Sequence, residues 1–309
     1  MAERILVDAN SVAHAAHQGA VLKAGDQETQ AVFGMIKGAR ALKLKHPGAQ
    51  IIYLWDGKSW RKDICDTYKA NREDDAKKRE SRRRFKSQSG FIRKALYLLG
   101  MPQLFSQNLE ADDLAGILVP KYTAKGDRVH LVTGDQDWLQ LVRPNVTWQD
   151  HRLEERFVSM KNFAEYTEYP TVEQFVQSKA LQGDTSDNLP GVGKIGEKGA
   201  LDLLQVWGDV RAFLSDADRE ETYKAKRGKK LPKAFVEFAE MKDRQDKFFL
   251  NMGMMNLLGD LPAPEQLSLR KGEFNAEAFK TLCNELAFIS ITRYPGFEHW
   301  VEPFKRTAH

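Results

Sequence analysis

The chain has 309 residues, of which 42% are hydrophobic and 29% charged, with a formal net charge of +4. That length suits one large α/β domain or two smaller ones, and the balance is that of an ordinary soluble globular protein. The two cysteines, Cys65 and Cys283, stand far apart and outside any metal-ligand spacing, which excludes a disulfide framework, and no apolar run approaches membrane-spanning length.

In chain order, the amino terminus MAERILVDAN reads as a charged lead into a strand and not as a signal peptide, so a cytoplasmic protein is expected. Strands are predicted at 4–9 (RILVDA), 50–56 (QIIYLWD), 128–135 (RVHLVTGD) and 146–148 (VTW), with helices near 29–45, 88–100 and 110–125. Such alternation argues a mostly parallel central sheet with helices on both faces. From about residue 170 the pattern turns helical, through TVEQFVQSKALQ, EKGALDLLQVW and KAFVEFAEMKDRQDKFFL. The predicted class is therefore α/β, with a core over 1–168 and a helical portion over 169–309. Charge is unevenly spread. Residues 57–94 carry fourteen Lys/Arg against six Asp/Glu, and KAKRGKKLPK (224–233) adds a second basic cluster. Basic patches set apart from short acidic motifs suggest a polyanionic partner lying over acidic catalytic or metal-binding groups. Solvated surface charge is the competing reading.

Each good strand ends in an acid: Asp8 after ILV, Asp56 after IIYLW, Asp135 and Asp137 after HLVTG. In an open parallel sheet the carboxyl ends of the strands share one edge, where active sites collect. Glu110, Asp112 and Asp113 open the next helix; one acid suffices for a cap, and three within four residues exceed that need. Asp184 and Asp187 bring the set to nine. A like-charged pair 4 Å apart costs roughly 4 kcal/mol at an effective dielectric of about 20. Divalent cations relieve that cost. An all-carboxylate set suits Mg²⁺ or Mn²⁺ and not Zn²⁺, and two such ions about 4 Å apart serve phosphodiester hydrolysis.

Two glycine motifs have the look of nucleotide-binding loops and lack their context. Gly57-Lys58-Ser59 follows a strand, but the first glycine of a Walker motif would fall at Ile52. Gly191-x-Gly193-x-x-Gly196 follows Asp-Asn-Leu-Pro and a helix, where a dinucleotide-binding turn should follow a strand. A hairpin between two helices, with glycines letting backbone amides approach a phosphate, fits better.

Taken together these residues resemble the flap endonuclease, or structure-specific 5′-nuclease, family, particularly its bacterial and phage members. The similarity spans roughly 4–205 and rests on LVDAN, WDGKSWRKD, YKANR, LEADDLAG, VTGDQDWLQLV and LQGDTSDNLPGVGKIGEKGA, in the family's order. The resemblance implies a first metal site at Asp8, Asp56, Glu110 and Asp112, with Asp113 nearby. It implies a second at Asp135, Asp137, Asp184 and Asp187, with two Mg²⁺ (or Mn²⁺) ions per active site. It implies a basic helical arch over about 57–94. There Lys69 and Arg72 lie over the scissile phosphate, Tyr68 stacks on a base, and Arg82, Arg83 and Arg84 attract the 5′ strand. A helix–hairpin–helix (helix–three-turn–helix) element over about 175–207 is implied to grip duplex backbone. Its residues Gly191, Val192, Gly193, Lys194, Ile195 and Gly196 also form a place for K⁺.

The activity implied is 5′→3′ exonuclease and flap endonuclease cleavage of branched or nicked duplex DNA with a 5′ single strand, with RNA–DNA hybrids as further substrates. A monomer without membrane association is expected, located in a bacterial cell or a phage-infected host. No sliding-clamp motif is visible in VEPFKRTAH, and the region after 210 receives no role of its own. The alternatives are a PIN-like ribonuclease, a DNA-structure-binding protein without catalysis, and a nicotinamide enzyme.

Overall fold

The computed structural model describes residues 1–73, 76–153, 155–293 and 296–305. Its centre is a seven-stranded sheet. We label the strands β1 (Glu3–Asp8), β2 (Gln50–Trp55), β3 (Gln103–Phe105), β4 (Arg128–Val132), β5 (Val146–Gln149), β6 (Phe157–Val158) and β7 (Ser268–Arg270). Their order across the sheet is β7-β3-β2-β1-β4-β5-β6. The five inner strands run parallel, and the edge strands β6 and β7 are antiparallel to their neighbours.

The inner strands read as near-continuous apolar runs because both faces are covered. On one face Leu6, Ile52, Leu54, Val129 and Leu131 pack with Leu114, Ala115 and Val119 of the helix Ala111–Thr123, and with aromatic residues from 163 onward. On the other, Ile5, Val7, Ile51, Tyr53 and Val132 meet α1 (Ala9–His17), α2 (Gln30–Lys45) and α3 (Ala76–Leu98). The parallel register aligns the strand ends, so Asp8 lies level with Leu54 and Val7 with Val132.

Three features depart from the sequence expectations. The helix expected near 88–100 begins at Ala76, so the basic run 77–86 is its amino-terminal half. Phe85 stacks on His14 with ring centroids 3.8 Å apart, Gln88 accepts a hydrogen bond from the Ala31 amide at 2.9 Å, and Arg84 pairs with Glu28 at 3.0 Å, fixing that half to α1 and α2. The three-residue strand β3 is absent from the expectation because QLF is too short to show a period. The division at 168/169 also fails beyond residue 268. Strand β7 joins the sheet edge, and Phe279, Val301 and Phe304 of the last helices return to the core under α2 and α3. The chain between 169 and 267 is the helical part, and it shares one core with the sheet through Phe175, Leu181 and Leu257.

Candidate active site

The sheet delivers its acids to one edge, and the backbone fixes each one. Asp8 caps α1, accepting from the Ser11 amide at 2.9 Å and from the Thr133 hydroxyl at 2.8 Å. Asp56 accepts from the Ala111 amide at 2.9 Å and from Asn10. Asp135 caps the turn Gln136–Leu141 through the Asp137 amide at 2.8 Å. Asp112 receives the indole hydrogen of Trp138. Glu110 reaches the cluster because its loop hugs the end of β2. A side chain at Gly57 would strike the Ser106 carbonyl at 1.9 Å, while the Gly57 and Lys58 amides bond to Leu109 and Gln107 carbonyls at 2.8 and 2.7 Å. Gly57-Lys58-Ser59 is thus a strand-to-loop clasp, and Ser59 donates to Glu110 at 2.8 Å.

These residues line two connected spaces. Asp8, Asp56, Glu110, Asp112 and Asp135, with Lys69, line an open cleft of about 400 Å³. Asp112, Asp137, Asp184 and Asp187 line a recess of about 20 Å³ beside it. Asp112 borders both, and Asp135 sits in the larger cleft with the acids expected of the first group. A larger cavity of about 760 Å³ beneath α1 and α2 is mostly apolar and contains none of these acids.

The electrostatics follow from the crowding. Burial, then the Asp56 and Asp135 charges, push Asp8 up to about 7. Burial and then Asp137 push Asp135 up to about 6. Asp56 and Asp112 are raised by burial and then by neighbouring acids. Glu110 moves the other way: burial alone would raise it, but Lys69 and Arg61 win. Asp184 is likewise lowered against its burial, by the Ser186 and Lys179 contacts. Lys179 pairs with Asp137 at 3.0 Å. Crowded, mutually destabilising carboxylates with only oxygen donors are a donor set that fits hard divalent cations.

Several sequence-predicted residues take other places. Tyr68 is buried, its hydroxyl 3.0 Å from Glu110 and 2.9 Å from Asp187, so it is not a base-stacking surface in this structure. Asp113 faces away from the cleft. Its carboxylate takes a bidentate pair from Arg61 at 2.8 and 3.0 Å and the Trp60 indole at 3.2 Å, which leaves it structural and not a ligand. Lys69 sits inside the cluster, paired with Glu110 and 3.6 Å from Asp187, on a left-handed backbone with φ of 58°. The side chain of Arg72 lies outside the described residues. Arg82 is half-buried; Arg83 and Arg84 are exposed on α3.

The glycine hairpin joins the helices Val172–Gln182 and Glu197–Trp207. Val192 and Ile195 are core residues, packed with Leu203 and Leu204, so only backbone is offered outward there. Lys194 is exposed, with φ of 56°, next to Gly193 at 96°, and a side chain at Gly196 would meet open space. Gly191 is needed for packing, since a Cβ would meet the Gln182 carbonyl at 2.3 Å. Arg244 approaches the Gly193 carbonyl at 3.4 Å.

Arg61, Lys179, Asn10 and Trp138 were not expected in the site. Each is recognisable only by partners far away in sequence. Arg61 also donates to the Met254 carbonyl at 2.6 Å, tying the acids to the helix Lys242–Met255.

Three comparisons with known proteins bear on this arrangement. The 5′-3′ exonuclease N-terminal resolvase-like domain matches residues 3–175, and the 5′-3′ exonuclease C-terminal SAM fold matches 170–273. A thermostable DNA polymerase I of Thermus filiformis is 31% identical over 295 residues, covering 93% of this chain and 32% of the polymerase. The chain thus spans about a third of that relative. A 5′-3′ exonuclease of Buchnera aphidicola subsp. Schizaphis graminum is 28% identical over 267 residues, covering 84% of this chain and 86% of that protein. A flap endonuclease of bacteriophage T5, solved as a pseudo-enzyme–product complex with DNA and metal ions, shares the fold. Its TM-score is 0.64 at 18% identity over 98% of both chains.

Two outcomes are expected from this geometry. Asp8 binds its proton more tightly in the folded chain than in the unfolded one, so its contribution to stability falls as pH rises from about 4 to about 7. Asp8→Asn keeps the amide contact and removes the charge. In EDTA it raises Tm at pH 8, and the gain shrinks toward pH 5; an equal gain at both pH values contradicts the charge argument. Arg61→Met leaves Asp113 buried without its cation and Glu110 with Lys69 alone, and urea unfolding should show a loss of about 3–5 kcal/mol. A loss under 1 kcal/mol means the pair is dispensable.

Proposed function

This chain belongs to the 5′-3′ exonuclease family, and from that premise we propose a structure-specific 5′-nuclease that hydrolyses phosphodiester bonds with 5′→3′ exonuclease and flap endonuclease activity. The observation that carries the proposal is the convergence of strand-end acids around a cleft in which burial and mutual repulsion hold Asp8, Asp56, Asp112 and Asp135 above the ordinary carboxylate range. Ligands are proposed as Asp8, Asp56, Glu110, Asp112 and Asp135 in the cleft, and Asp137, Asp184 and Asp187 around the recess. Bound there, two Mg²⁺ or Mn²⁺ ions would lower the pKa of the attacking water and offset charge on the departing oxygen.

The protein's own groups do the positioning. Lys69, freed from Glu110 when the acids take a cation, points a charged donor at the phosphate where negative charge develops. The basic half of α3, with Arg82, Arg83 and Arg84, draws in the 5′ single strand, an effect that weakens with salt. The Gly191–Gly196 backbone and the start of the helix Glu197–Trp207 approach duplex phosphates, with K⁺ as a proposed companion at the carbonyls. Branched or nicked duplex DNA is the proposed substrate and RNA–DNA hybrid a second; the chain acts as a monomer in a bacterial or phage-infected cell. A ribonuclease of the PIN-like class has no counterpart for the long basic helix and the glycine hairpin together.

End-labelled flap duplexes give the direct test. With Mg²⁺ the chain should cut at the flap junction or stepwise from the 5′ end, and EDTA should stop it; binding without cutting in either Mg²⁺ or Mn²⁺ refutes catalysis. Asp135→Asn should abolish turnover while gel-shift affinity for the flap persists. In single-turnover kinetics Lys69→Ala should slow chemistry by about 10²-fold with affinity little changed. Loss of affinity alone would place Lys69 away from the scissile phosphate.

A further inference from the structure

At the amino-terminal ends of the strands, on the sheet edge opposite the cleft, three side chains from three elements meet. Glu3 opens β1, His46 caps the end of α2, and His130 lies on β4. Glu3 pairs in register with Arg128 and Ile5 with His130, so Glu3 and His130 share the face covered by α2. His46 Nδ1 lies 2.9 Å and His130 Nε2 3.0 Å from the same Glu3 oxygen, Oε1. The two imidazole centroids are 5.1 Å apart. Among the described residues this is the one trio of His, Cys, Asp or Glu whose ligand atoms lie within 4.8 Å of one another. Asp8 is five residues further along β1, which puts the trio about 17 Å from the cleft.

An ordinary pairing of carboxylate and imidazoles accounts for only part of this geometry. His130 Nε2 is shut off from solvent and, despite its 3.0 Å approach to Glu3, is not aligned for a hydrogen bond. Its other nitrogen, Nδ1, lies 2.8 Å from the Thr147 hydroxyl on β5. With Nδ1 engaged by Thr147, Nε2 is the ring nitrogen that faces Glu3. That is the orientation a metal-bound imidazole takes when an outer oxygen fixes its tautomer. Burial and then the neighbouring His46 hold His130 below its ordinary value. Glu3 is held below the carboxylate range against its partial burial by the His46 contact, so it is ionised. The exposed Arg128 is the one further charge acting on both, and it opposes a cation from solvent.

We propose that Glu3, His46 and His130 form a binding site for one zinc-class divalent transition-metal ion, separate from the acidic cleft. Zn²⁺ accepts imidazole nitrogen at about 2.0–2.1 Å and carboxylate oxygen at about 2.0–2.2 Å, and three such ligands leave a fourth tetrahedral position for water. Mg²⁺ takes oxygen ligands and has no preference for this set. A metal ion takes an imidazole nitrogen only when it carries no proton, so affinity falls as pH drops. The ion would clamp the end of α2 to β1 and β4, a structural staple independent of cleavage.

The test uses the whole chain in excess Mg²⁺, with Zn²⁺ added and bound metal counted after equilibrium dialysis. Wild type should retain one more Zn²⁺ per chain than His46→Gln/His130→Gln, and Zn²⁺ should raise Tm only in wild type. Equal zinc content in the two proteins overturns the site, whatever the cleft takes up. Should the double variant not fold, imidazole ¹⁵N spectra of wild type decide. Substoichiometric Zn²⁺ must shift His46 and His130 among the seven histidines, and unmoved resonances for both reject the proposal.

Discussion

Repulsion among buried carboxylates is the constraint from which the rest of the architecture follows. A parallel sheet brings Asp8, Asp56 and Asp135 to one edge without choice, because their strands are in register. Each acid is held by a backbone amide at one oxygen, and the second oxygens of Asp8 and Asp56 accept from Thr133 and Asn10. Amides supply partial charges only. Burial and neighbouring charge push Asp8 and Asp135 toward the protonated form, and Lys69, Arg61 and Lys179 complete the balance. A site built this way stays in place when empty of cations and gains most when they enter.

The same constraint links the two halves of the chain. The segment 67–71 and the loop 184–188 are stitched directly: the Lys69 amide bonds to the Asp187 carbonyl at 2.9 Å, Asn188 to the Thr67 carbonyl at 2.8 Å, and Asn71 to the Thr185 carbonyl at 2.8 Å. Lys69 and Asp187 therefore move as one unit. The helix Val172–Gln182 carries Lys179, leads into Asp184 and Asp187, and returns at once through the glycine hairpin, where the Val192 amide bonds to the Leu181 carbonyl at 3.0 Å. On the proposed function, the distance between duplex contact and cleavage is set by this short rigid connection.

Legibility from sequence followed locality. Strand-end acids stood out because an apolar run followed by Asp is a local pattern, and the alternation of elements carried the inner sheet. The exposed edge strand Ser268–Arg270 has no such run, and its pairing with Gln103–Phe105 spans more than 160 residues. The last helices pack on α2 and α3 for reasons written in residues more than 170 positions away. Within EADD, Asp112 and Asp113 are alike as letters. About 100° of helix rotation separates them, and Asp113 is held inward by Arg61, Trp60 and the Glu110 amide. Tyr68 was legible as part of YKANR, yet its burial depends on Leu189 and Met254 from the helical half.

Tyr68 also shows how a neutral group divides the acids. Its hydroxyl lies within hydrogen-bond reach of Glu110, at the cleft, and of Asp187, at the recess. Burial and then these two acids hold the phenol well above its ordinary value, so it stays protonated and adds no charge to the cluster. One phenolic hydrogen can serve one carboxylate at a time. The second contact therefore calls for positive charge nearby, and Lys69 supplies it, paired with Glu110 and within 3.6 Å of Asp187. Glu110, Asp187, Tyr68 and Lys69 thus form one bonded group that joins the cleft to the recess.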